Sequence, residues 1–210
     1  MTQAHVRATG RSAAPPSTRS RWLTAAQVIL AFVAVLYVAE LVDTLLGNRL
    51  DRAGVEPREV EGLDGILWAP LLHGGWDHLA SNTGPLLVFG FLILLGGVLR
   101  WAAVTAVVWL VGGLGTWLTG ADGTVHIGAS VLAFGWLVYL VVRGWFSRSA
   151  RQVVVGLVLL FLYGGILWGV LPGQPGVSWQ GHLFGAVGGA VAAWWLGRRD
   201  RERCAVPSPL

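Results

Sequence analysis

The chain is poor in charge, has a single cysteine and contains no lysine. Of its 210 residues only 12% are charged, against about 25% in an ordinary soluble domain, while 54% are hydrophobic. So few charges cannot solvate a water-soluble globule of that composition, and the same apolar content excludes a disordered chain. Cys204 lies in a polar tail with no partner, which excludes a disulfide-stapled secreted domain. All fifteen basic residues are arginines, in tails and short connections between apolar stretches rather than along one face with interleaved aromatics. The net charge of +4 is therefore not the footprint of a nucleic-acid-binding surface.

What the chain does have is long apolar runs. A membrane-spanning helix needs about 20 mostly apolar residues, and six stretches near that length recur: Trp22–Leu41, Leu79–Leu99, Trp101–Leu118, Ile127–Val142, Val153–Leu171 and Gln180–Leu196. Twelve tryptophans suit anchors at a membrane–water interface. The expected fold is an all-α membrane protein, a six-helix bundle over residues 22–197 flanked by polar tails at 1–21 and 198–210. The fourth stretch, about 16 residues and so about 24 Å at 1.5 Å per residue, falls short of a roughly 30 Å hydrocarbon core. One of its ends is expected below the membrane surface.

Arginine placement sets the orientation, because an excess of Lys and Arg in short loops marks the cytoplasmic side. Twelve of the fifteen fall before the first helix, between helices 2 and 3, between 4 and 5, and after 6. Both termini are then cytoplasmic, and the basic N-terminal stretch leads into an uncleaved first span rather than a signal peptide. The connection at about 47–77 is external and mixes charge with Trp68 and Trp76, a composition suited to the membrane interface. Glu40 and Asp43, at the outer end of the first helix, are expected to be hydrated or bonded to that loop. Matching broken helices, the mark of a transporter built from inverted repeats, are absent from the two halves.

Polar side chains at membrane depth are costly, so each is a functional candidate. His73, His78 and Asn82 surround the start of helix 2, His126 and Ser130 the start of helix 4, and Gln180 and His182 the start of helix 6. With helices alternating in direction, these three starts share one depth at the external face. His78 and Asn82 lie one turn apart on one face, as do His182, Gly185 and Gly189. A glycine face lets helix 6 pack backbone to backbone against a neighbour. If that neighbour is helix 4, His182 reaches Ser130 and takes its hydroxyl proton, a dyad able to attack a carbonyl. Asn82, His78 and the Ser130 N–H are candidates to stabilise the oxyanion. No H-E-x-x-H motif occurs to support a metal site, and neither His73 nor His126 receives a role.

The segments His73-Gly-Gly-Trp-Asp-His78-Leu-Ala-Ser-Asn82, Gly128-Ala-Ser130 and Gly181-His182-Leu-Phe-Gly185-Ala-Val-Gly-Gly189 resemble, in order and in the second, fourth and sixth helices, the signatures of rhomboid intramembrane serine proteases. The resemblance implies a six-helix rhomboid-like bundle in which Ser130 is the nucleophile and His182 the general base. It makes His78 and Asn82 oxyanion-hole side chains, Gly128 the first glycine of the nucleophile motif, and Gly185 and Gly189 packing glycines. It implies no metal, nucleotide or other cofactor, and membrane-spanning proteins cleaved near the external face as substrates. The setting it implies is a lipid bilayer, a bacterial plasma membrane on this composition.

Two positions depart from the family pattern. Val131 follows the serine where glycine is usual, and its branched side chain is expected to crowd the helix 4 to helix 6 contact. Asp64-Gly65 stands about where the family has a Trp-Arg pair, so the first loop needs other anchors. A rhomboid-like protein that binds transmembrane helices without cutting is the alternative, and a small transporter a more distant one.

Overall fold

Backbone that cannot reach water must close its hydrogen bonds within the segment, so long apolar runs fold as helices. The computed structural model describes residues 18–205, with side chains to Glu202. Among the described residues there are seven α-helices: α1 Thr18–Leu45, α2 Gly65–Trp68, α3 Trp76–Leu94, α4 Val98–Thr119, α5 Ser130–Ser147, α6 Ala150–Tyr163 and α7 Trp179–Ala205. Among the described residues there is no strand, only an isolated bridge between Val55 and His126. Residues 18–21 and 198–205, expected in the tails, are helical, while the rest of the expected tails, 1–17 and 206–210, lies outside the described residues.

Among the described residues four segments are long and apolar enough to cross a membrane: Thr18–Leu45, Val98–Thr119, Ser130–Ser147 and Ala150–Val170. The second and sixth predicted spans correspond to α3 and α7, which fall outside that group. Their polarity has an identifiable source. The first two turns of α3 hold Asp77, His78, Ser81, Asn82 and Thr83, and the last turns of α7 hold Arg198, Arg199, Asp200, Arg201 and Glu202.

The fifth predicted span is not one continuous α-helix. α6 stops at Tyr163 and a 3₁₀ segment, Gly164–Val170, continues from Gly164-Gly165. Paired glycines lower α-helical stability, and a tighter 3₁₀ turn is a common way for a helix to end. The change of winding matters because it aims the carbonyl of Gly169 at the site described below.

α5 is the hub of the bundle. Leu132, Trp136, Leu137, Tyr139 and Leu140 are each 0% exposed, packed among α3, α4, α6 and α7. By contrast only Gly156 and Leu159 of α6 are buried, which leaves Val154, Leu157 and Phe161 facing outward.

The connection between α1 and α3 winds through short turns at Leu50–Ala53, Glu61–Leu63 and Gly65–Leu71. Its anchors are two indole hydrogen bonds to backbone carbonyls and one ion pair. Trp109 Nε1 donates to the Ile66 carbonyl at 2.6 Å, Trp117 Nε1 to that of Glu59 at 2.8 Å, and Arg58 pairs with Asp122. Gly65 is needed here, since a Cβ at that position would lie 1.9 Å from the Gly54 oxygen. Asp43 accepts from the Leu50 N–H at 2.7 Å, so it is bonded to the loop as expected. It and Glu40 are nonetheless buried, at 2% and 3% exposure, rather than hydrated.

Candidate active site

Ser130 opens α5 because the chain cannot be helical immediately before it. Gly128 has φ of +123°, a conformation closed to other residues at reasonable cost, and Ala129 turns into the helix from there. Two contacts hold this entry. The Gly128 N–H donates to the Ala69 carbonyl at 2.8 Å, and the Ala129 N–H donates to His73 Nε2 at 3.2 Å. Buried His73, 1% exposed, thereby receives a positional role that its place in a loop did not reveal.

His182 enters from the first turns of α7, and its Nε2 lies 2.9 Å from Ser130 Oγ. Its Nδ1 is 2.9 Å from the Gly169 oxygen. A carbonyl only accepts, so Nδ1 carries the proton and Nε2 is left to accept from the serine hydroxyl. The ring stacks on Phe134 at a centroid distance of 3.9 Å and an interplanar angle of 10°. Phe134 lies one turn after Ser130 on α5, so one helix supplies both the hydroxyl and the plate that orients the imidazole. Gly169 admits this arrangement, because a Cβ there would sit 2.9 Å from both His182 Nδ1 and Phe134 Cζ.

His78 closes the other side of Ser130. A Cβ built on Gly128 would lie 2.7 Å from His78 Cε1, 2.9 Å from its Nε2 and 3.5 Å from Ser130 Oγ. The hydrogen of Gly128 thus leaves a gap flanked by an imidazole and the serine oxygen. Asn82, 6% exposed, donates from Nδ2 to the His78 carbonyl one turn earlier at 3.2 Å. A cleft of about 620 Å³ opens onto the group, lined by His78, Ser81, Asn82, Ser130, Phe134 and His182 among others. The arrangement can deprotonate a hydroxyl, present it to a carbonyl in the cleft and surround the resulting oxyanion with N–H donors.

Gly185 and Gly189 lie against α5 at backbone distance. A Cβ on Gly185 would meet the Val131 oxygen at 2.3 Å, and one on Gly189 the Gly135 oxygen at 2.0 Å. The Val131 side chain also sits at this contact, its Cγ2 3.1 Å from where a Cβ on Gly185 would be. It drops into a slot beside Gly112 of α4, where a Cβ would lie 2.3 Å from Val131 Cγ2. Room for the branched side chain at the expected contact thus comes from two glycines, Gly185 of α7 and Gly112 of α4, the second on a helix that the serine motif does not mention. Gly112→Ala is therefore expected to lower the thermal midpoint of the purified protein by overpacking, at a cost of about 1–3 kcal/mol. Val131→Ala in the same chain is expected to restore most of the loss.

His126 joins three segments. Its Nδ1 lies 2.7 Å from Ser178 Oγ and its Nε2 2.9 Å from Thr124 Oγ1, while its backbone pairs with Val55. Gln180 is buried at 7% exposure near the start of α7. Among the described residues, no three His, Cys, Asp or Glu side chains are grouped to hold a metal ion.

A Rhomboid domain model matches residues 62–199, about two thirds of the chain. The chain belongs to the rhomboid family. Rhomboids are in general intramembrane serine proteases, and the three clusters brought together above all fall inside the matched region. "Uncharacterized protein Rv1337" of Mycobacterium tuberculosis is 52% identical over 207 residues, covering 93% of this chain and 86% of that protein. "Uncharacterized protein ML1171" of Mycobacterium leprae is 48% identical over 192 residues, covering 88% and 76%. A Bacillus subtilis protein named "Putative rhomboid protease YdcA" is 27% identical over 135 residues, covering 63% and 67%. No solved structure matches the chain significantly.

The loop histidines of this rhomboid give a pH expectation. Burial, and secondarily the neighbouring His78, pushes His73 down to about 4 from its ordinary 6.5, and burial pushes His126 down as well. Between the two His73 values the unfolded chain binds a proton that the folded chain refuses. Stability is thus full above about pH 6.5 and declines as pH falls towards about 4, by an order of 2–3 kcal/mol for His73. Thermal midpoints in detergent across that window are expected to fall with acid. His73→Gln, which keeps an acceptor for the Ala129 N–H, is expected to flatten the slope without removing the part due to His126.

Proposed function

We propose that this rhomboid is an intramembrane serine endopeptidase that cleaves transmembrane segments of membrane proteins near the external face. The observation that carries the reading is the 2.9 Å approach of His182 Nε2 to Ser130 Oγ, with Nδ1 occupied by the Gly169 carbonyl. His182 takes the hydroxyl proton as Ser130 Oγ attacks the scissile carbonyl, and returns it to the departing amine. Water then adds to the acyl-enzyme by the same proton traffic in reverse. The Ser130 N–H, His78 and Asn82 stabilise the oxyanion in each half of the cycle. Gly169 and Phe134 orient the base without a carboxylate.

The substrate class follows from the geometry of the reaction. A peptide bond in an intact helix is shielded by its own hydrogen bonds, so the segment must unwind before it lies extended in the cleft. Single-span proteins whose helices are weak near the outer face meet that requirement. We place the protein in a bacterial plasma membrane with six spans and both termini cytoplasmic, supported by the arginine distribution and the mycobacterial relatives. The alternative of a non-cutting helix binder rests on crowding by Val131, and the two glycines that border its side chain, Gly112 and Gly185, favour the protease reading. The test is labelling of the reconstituted protein with a fluorophosphonate or isocoumarin serine probe. A folded wild type that does not label would overturn the proposal.

A further inference from the structure

At the end of the bundle opposite the cleft, four helices bring guanidinium groups together with too few carboxylates. Arg100 of α4 donates to Asp200 of α7 at 2.6 Å and to the Tyr139 hydroxyl at 3.3 Å. That pair is satisfied. Arg143 of α5 shares the neutral Tyr139 but has no carboxylate: its guanidinium carbon sits 5.8 Å from the centroid of the Tyr139 ring, and its Nε is buried without a hydrogen-bond partner. Arg100 and Arg151, the latter in the first turn of α6, both lie within repulsive range of it. Asp200 is already engaged, and among the described residues no carboxylate forms an ion pair with Arg143 or Arg151.

The α5–α6 turn holds these two arginines close. Arg148 turns the chain in the left-handed region, the Ser149 N–H bonds back to the Gly144 carbonyl at 3.0 Å, and a Cβ on Gly144 would lie 2.4 Å from the Val153 nitrogen. From Arg151 a stripe at helical spacing continues along α6 through Val154, Val158 and Phe161, exposed at 60%, 50% and 88%. A charged head followed by an apolar stripe is the profile of a phospholipid lying against a helix.

We propose that Arg143 and Arg151 form a headgroup site for an anionic phospholipid of the cytoplasmic leaflet, its phosphodiester bridging the two guanidinium groups and an acyl chain following Val154, Val158 and Phe161. Guanidinium matches phosphate oxygens in geometry as well as charge, and basic pockets between transmembrane helices suit such headgroups. The site fastens the weakly embedded α6 to α5. It rests on the membrane-spanning reading and not on the protease reading, so its test uses no activity.

The full-length protein is reconstituted into bilayers of equal parts phosphatidylcholine and phosphatidylglycerol, extracted gently, and its retained lipid counted by native mass spectrometry. The wild type is expected to retain phosphatidylglycerol in clear excess. Arg143→Gln and Arg151→Gln are each expected to cut that excess about fivefold, the scale of one arginine at an anionic membrane surface. Arg198→Gln, at a residue of α7 that stacks on Trp194, is expected to leave the excess largely intact. Arg151 is exposed, so its variant keeps the test valid should Arg143→Gln fail to fold. Equal retention of both lipids by the wild type, or an undiminished excess in Arg151→Gln, overturns the proposal. So does displacement of the bound lipid by inorganic phosphate, which would mark a free-anion site.

Discussion

Ser130→Ala and His182→Ala are each expected to reduce probe labelling and cleavage of a transmembrane substrate to background, a loss of about 10³-fold or more. The two variants fail for different reasons. Without the Ser130 hydroxyl no acyl-enzyme can form. Without His182 the hydroxyl keeps its proton, and no carboxylate stands by to replace the base, because Nδ1 is served by a carbonyl. Since one step needs both groups, the double variant is expected to be no worse than either single one. Thermal midpoints separate chemistry from folding. Ser130→Ala removes one oxygen at the mouth of the cleft and is expected to leave the midpoint nearly unchanged. His182→Ala leaves Phe134 without its stacking partner and is expected to lower it modestly. Equal residual cleavage in Ser130→Ala and wild type would overturn the assignment of this serine.

The helical class and the meeting of three clusters were legible in the sequence because both follow from long-range regularities: apolar runs, arginine alternation and the direction of successive helices. His78, Asn82, Ser130 and His182 are the polar exceptions in otherwise apolar segments, so they stand out without coordinates. What could not be read depends on local winding and on third parties to a contact. Gly169 presents its carbonyl only because the chain changes from α to 3₁₀ at Gly164, and a hydropathy pattern does not distinguish the two. Phe134 was within reach, since it lies four residues after Ser130, but an apolar residue in an apolar helix gives no signal of its own. The accommodation of Val131 is hidden for the same kind of reason: its side chain borders Gly185 at the expected contact, but part of its space belongs to Gly112, on a helix that the serine motif does not mention. The anchoring of the first loop likewise passed to Trp109 and Trp117, two of twelve tryptophans with nothing in the sequence to single them out.

Gly128→Ala is expected to be the most damaging substitution outside the Ser130–His182 pair, and it can be separated into two effects. The first is backbone strain. At φ of +123° an alanine carries a penalty of about 1–3 kcal/mol, which a lowered thermal midpoint would report. The second is occupation of the site itself, because the new methyl group would stand 2.7 Å from His78 Cε1 and 3.5 Å from Ser130 Oγ. To admit it, the imidazole must withdraw from the position where an oxyanion would form, and losing one such donor costs about 10²–10³-fold in rate. Gly97→Ala supplies the control. Gly97 has φ of +108°, and nothing lies within 4 Å of where its Cβ would be, at the turn into α4. It is expected to lower the midpoint to a similar degree while leaving the rate of serine labelling near that of the wild type. A Gly128→Ala protein that labelled as fast as Gly97→Ala would mean that His78 does not border the reacting oxygen, and its role would then be confined to the start of α3.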